Sequence, residues 1–91
     1  MNKNLFSVKT KSDRLLYRVE DEGYCFYSTK SMKFFFLDKI TGDFLLEYLG
    51  EIKESELLEN LEEFLGYSPK DVFGEIKNHY LKSVPGELLI S

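Results

Sequence analysis

The chain has 91 residues, of which 43% are hydrophobic and 31% charged, with a net charge of −4 and a pI near 5.0. This balance describes one folded domain with a modest core, and it excludes a sequence-independent grip on nucleic acid, which needs basic surface. The single cysteine, Cys25, excludes an internal disulfide and fits a reducing compartment. The absence of a long apolar run excludes a signal peptide or membrane span, so the expected location is cytoplasmic.

Residues 1–13 are polar and basic apart from Leu5, Phe6 and Val8, and read as a flexible arm. Leu15 to Glu20 has strand character, with Leu15, Tyr17 and Val19 on one face. Asp21-Glu22-Gly23 supplies a turn, and Tyr24 to Ser28 is an aromatic-rich second strand. A polar run then turns the chain into a third strand, Lys33-Phe34-Phe35-Phe36-Leu37. Side chains alternate along a strand, so Phe34 and Phe36 point away from Phe35 and Leu37. Both pairs are apolar, and a domain this small has core for only one of them, so Phe34 and Phe36 are read either as packed under the N-terminal arm or as a partner-binding surface. A strand that is apolar on both faces and near a sheet edge invites a visiting peptide.

The remainder is helical. Asp38 is an N-cap for a first helix with Ile40, Phe44, Leu45, Tyr48 and Leu49 at helical spacing, closed by Gly50. A second helix carries Leu57, Leu58, Leu61, Phe64 and Leu65 and ends at Gly66. Ser68 as N-cap and Pro69 at the first helical position open a third, with Val72, Phe73, Ile76 and Tyr80 as its apolar stripe. Val84-Pro85-Gly86 stops it, leaving 85–91 as a tail. The expected fold is α+β: a three-stranded antiparallel β-meander followed by three helices, similar in type to a winged helix-turn-helix, over residues 14–84. Phe35, Leu37, Phe44 and Phe64 are expected in the core. Gly74, inside the third helix, is read either as neutral drift or as a place where another backbone approaches.

No catalytic constellation is legible. Cys25 has no neighbouring Cys or His for zinc, phosphate-cradling glycine loops are absent, and His79 is the only histidine. A Cys25–His79 nucleophile pair is weighed and set below the reading of Cys25 as a core residue. The chain is therefore read as a non-enzyme without a cofactor or metal. Charge is uneven: residues 1–39 carry +3 and residues 40–91 carry −7. The acidic second helix beside the third works against DNA binding, although a winged-helix transcriptional regulator remains the alternative, with a generic protein-interaction module.

Against this background, Phe35-Phe36-Leu37-Asp38-Lys39-Ile40-Thr41-Gly42-Asp43-Phe44-Leu45 resembles the v-x-L-N-x-T-A-x-x-I-L segment of the PqqD-like peptide chaperones, also known as RiPP recognition elements. Leu49-Gly50-Glu51-Ile52 and Glu56 to Leu61 are similar to that family's following stretch, and Tyr67 to Val72 resembles its lead into the third helix. The likeness spans about residues 14–83 and rests on pattern and element order. Asp38 stands for the usual Asn, and Gly42 for Ala, which is expected to loosen the first helical turn. The resemblance implies binding of the leader segment of a ribosomally made precursor peptide, added as a strand beside the third strand. The complex would be presented to a separate modifying enzyme, such as a radical SAM maturase or a leader peptidase. It implies that Lys33, Phe34, Phe35, Phe36 and Leu37 pair with the leader, and that Val72, Ile76 and Tyr80 line its pockets. Lys77 would meet acidic leader residues, with neither nucleic acid nor membrane as a partner.

Overall fold

The computed structural model describes residues 15–89; the basic arm expected over 1–13 lies outside them. Strands β1 (Leu15–Glu20), β2 (Gly23–Ser28) and β3 (Lys33–Asp38) form an antiparallel meander in the order β1-β2-β3. Helices α1 (Lys39–Tyr48), α2 (Glu54–Leu65), α3 (Phe73–Lys82) and a single turn, α4 (Gly86–Leu89), follow. The fold is α+β, as the pattern of strands and amphipathic stretches implies.

Register assigns the faces. Tyr17, Phe26 and Phe35 stand in one cross-strand row, and Arg18, Cys25 and Phe36 in the next. The first row faces the helices: Phe26 is fully buried, and Tyr17 and Phe35 pack against the same core. The second row lies on the opposite face of the sheet. A Cβ on Gly23 would run into the backbone carbonyl of Leu37, so the β1–β2 turn needs glycine where it passes β3.

Helix α1 is the middle layer. Asp38 caps it, accepting from the Thr41 N–H at 3.3 Å and the Thr41 hydroxyl at 2.6 Å. Every residue from Ile40 to Leu46 is buried, because α1 packs on the sheet with one side and on α2 and α3 with the other. Leu45 and Leu46 enter the sheet-side core with Leu15, Tyr24 and Phe26; Ile40 and Phe44 enter the helix-side core with Leu57 and Leu61. The Phe44 ring stacks on Phe73 and Tyr80 of α3, with centroids 5.9 and 5.2 Å away.

Two expectations are corrected, and the tail and two glycines are placed. Phe64 is 64% exposed and not core: it continues the Leu57–Leu61 stripe by helical spacing, but near the C-terminal end of α2 it lies beyond the buried cluster, at an open cleft beside Lys39 and Ile40. Pro69 does not open α3: its side chain is buried, and a 3-10 turn (Lys70–Val72) follows, with Val72 N–H donating to the Pro69 carbonyl at 3.0 Å. Val72 then has φ −122°, outside the helical range, so α3 starts only at Phe73. The tail begins with the turn of α4, whose Leu88 is fully buried beside Val84 and Leu15. Finally, Gly74 faces open space, and Gly42 is the glycine that permits close approach: a Cβ there would collide with the Tyr24 ring.

Candidate functional site

The aromatic strand is a sheet edge. Among the described residues β3 pairs with β2 alone. Its outer face carries Phe34 at 56% and Phe36 at 71% exposure, large values for phenylalanine. Its inner face carries Phe35 and Leu37, which reach the core but remain half-buried because the sheet ends there. Phe34 also packs against Tyr27 of β2, with ring centroids 4.7 Å apart and the planes tilted by 43°. Lys33, at the start of the strand, is exposed. Both faces of the terminal strand therefore hold apolar surface that a further strand would cover.

The C-terminal end of β3 opens into a cleft of about 470 Å³. Phe36 and Leu37 form its apolar part, and Glu20, Asp21, Glu22 and Asp38 its acidic rim.

The α3 residues lie elsewhere. Val72, Ile76 and Tyr80 line a second groove of about 470 Å³ together with Leu61 and Leu65 of α2, Tyr67, Glu75 and His79. No β3 residue lines that groove. Ile76 and Tyr80 pack on the helix-side core, whereas Phe35 and Leu37 pack on the sheet-side core, with α1 between. Lys77 forms an ion pair with Glu47 of α1, Nζ to Oε1 3.2 Å, so its charge is engaged within the domain. The nine residues assigned to one peptide site thus divide into a strand group of five, a groove group of three and Lys77, which lines neither surface and pairs with Glu47. The far wall of the groove, Leu61, Leu65 and Tyr67, was not assigned to any site from sequence. The signal was present in the α2 stripe, which continues past the buried Leu57 and Leu61 to the partly exposed Leu65.

Cys25 and His79 do not form a pair. Cys25 is buried in the central strand in the row of Arg18 and Phe36, while His79 lines the α2–α3 groove with its ring edge-on to Tyr80 at 5.3 Å. Burial pushes the Cys25 thiol above its ordinary value, with Arg18 pulling the other way, so the thiol is poorly disposed to ionise.

A buried polar cluster joins β2, α1 and α2 beneath the edge. Asp43, 1% exposed, accepts hydrogen bonds from the Tyr24 hydroxyl, from Lys39 Nζ at 3.0 and 3.2 Å, and from Asn60 Nδ2 at 3.4 Å. Lys39 also lies 5.4 Å from the Tyr24 ring centroid. Burial, then the bond to Asp43, raises the Tyr24 phenol well above its ordinary range. The cluster is fully partnered, and it fixes α1 against the strand that pairs with β3.

No group of His, Cys, Asp and Glu that could hold a metal occurs among the described residues, and none of their helices is long and apolar enough to cross a membrane. Comparison of the chain with protein-family models, with curated proteins and with solved structures finds no match.

Proposed function

We propose that this domain is a non-catalytic peptide-binding protein that takes an extended segment as a fourth strand beside β3. The observation that carries this reading is the unfinished edge: one terminal strand with two exposed phenylalanines on one face and two half-buried apolar residues on the other. Main-chain hydrogen bonds hold an added strand largely without regard to sequence. Selection then comes from alternate side chains: those on the outer face lie beside Phe34 and Phe36, and those on the inner face extend the cover over Phe35 and Leu37.

The resemblance to PqqD-like chaperones gives the ligand class: the leader of a ribosomally made precursor peptide, presented in the cytoplasm to a separate modifying enzyme. Ordering a disordered leader costs several kcal/mol, so affinity is modest for the area covered, which suits cargo that is handed on. The pockets assigned to Val72, Ile76 and Tyr80 are not needed for the strand contact, because those residues line a different groove. The regulator reading is disfavoured by charge: Lys77 is paired with Glu47, and α2 presents five glutamates and no basic residue beside α3.

The test is a residue-by-residue NMR titration with the leader of a short peptide encoded beside this chain. The expected result is shifts concentrated on Lys33–Asp38, amide protection along β3, and weaker binding by Phe36→Lys. Shifts confined to the helices, or equal affinity for Phe36→Lys and the parent, would overturn strand addition.

A further inference from the structure

We propose that the groove between α2 and α3 is a second docking surface, and that it takes a short amphipathic helix of a partner protein with lysine or arginine on its polar side. This inference stands on the groove alone and does not depend on strand addition at β3.

The shape of the occupant follows from the walls. Both are helices, whose backbone groups are already bonded along their length, so the groove offers no ladder to an extended chain. An occupant must satisfy its own backbone, which a helix does. Helix-in-groove binding of this kind uses apolar anchors at i, i+3/i+4 and i+7. The anchors have a floor in Leu61, Leu65, Ile76 and Tyr80 and an open rim in Tyr67 and Val72. The volume of about 470 Å³ lies within the ~300–1,000 Å³ typical of binding clefts and accommodates side chains rather than a whole domain.

Charge gives the sign. Helix α2 carries Glu54, Glu56, Glu59, Glu62 and Glu63 and no Lys or Arg, and Glu75 lines the groove itself. No Lys or Arg lines the groove: on α3, Lys77 pairs with Glu47 of α1, and Lys70 and Lys82 lie in the 3-10 turn before α3 and at its C-terminal end. A basic helix would meet complementary potential here. A second copy of this chain docked through the same face would set α2 glutamates against α2 glutamates, and a nucleic acid would be repelled.

The test uses the whole chain and two synthetic helical probes of about 18 residues, roughly 27 Å long. Both have leucine at i, i+3, i+4 and i+7; one has lysine at the remaining charged positions and the other glutamate. The expected result is that the lysine probe shifts the methyl signals of Leu61, Leu65, Val72 and Ile76. It should bind about tenfold or more tightly than the glutamate probe, with the advantage lost at high salt. Glu75→Lys, at an exposed position, should weaken the lysine probe and leave the fold unchanged; Val72→Asp should weaken both probes. Equal binding of the two probes, shifts on β3 instead of the groove, no binding of either, or groove shifts that follow protein concentration through self-association would each overturn the proposal.

Discussion

Replacing Gly42 by Ala tests how closely β2 and α1 are fitted. Helix propensity alone favours Ala over Gly by about 1 kcal/mol. The new methyl, however, would sit on the Tyr24 ring, which is buried and tied through its hydroxyl to Asp43. Displacing such a ring costs about 1–3 kcal/mol in overpacking. If the hydroxyl leaves Asp43, a further 1–3 kcal/mol or so is lost with that buried hydrogen bond. With both losses the net expectation is destabilisation of about 1–5 kcal/mol, which in a domain of this size lowers Tm by at least ~4 °C; with overpacking alone it is about 0–2 kcal/mol. In a Tyr24→Val background, which keeps a strand-favouring residue but removes the ring, the same Gly42→Ala change should stabilise by about 1 kcal/mol. Urea denaturation of the four proteins, followed by circular dichroism, reads both signs. A stability gain from Gly42→Ala in the parent, or an equal effect in both backgrounds, would refute the close-approach argument.

Two positions exchange the importance that the bare pattern suggests. Leu88→Ala should cost about 2–5 kcal/mol, because the side chain is fully buried in the sheet-side core, whereas the exposed Phe64→Ser should stay within about 0.5 kcal/mol; thermal melts of the two variants check this. Stability should also fall in alkali. Cys25 and Tyr24 have folded pKa values raised above their ordinary 9.0 and 10.0, so the contribution is fully present below about pH 9. Above that, the unfolded chain ionises while the folded one resists, and stability declines as pH rises. Denaturation midpoints from pH 8 to beyond pH 10 should show that decline, with a shallower slope in Tyr24→Phe.

Local rules account for what was legible in the chain. Alternation and turn residues placed β1, β2 and β3 to within a residue, because strand faces and tight turns are settled within a few positions. Asp38 as a cap and Gly50 and Gly66 as left-handed closers, with φ 84° and 83°, follow from the chemistry of helix ends. Outward Phe34 and Phe36 follow from alternation once one face is known to be buried.

What the chain by itself determined is therefore its elements, their order, and an aromatic third strand with two apolar faces. Only the tertiary structure decided which surfaces meet. It buried Ile40 to Leu46 of α1, and so made Asp43 the acceptor at the centre of a polar cluster. It left Phe64 exposed and drew Leu88 in, since how far the neighbouring elements extend sets how much of an apolar stripe is covered. It also set Lys33–Leu37 apart from Val72, Ile76 and Tyr80, with α1 between two cores, where the family resemblance implies one peptide site. Periodicity specifies a face along one element; the partner of that face is set by contacts between residues far apart in the chain.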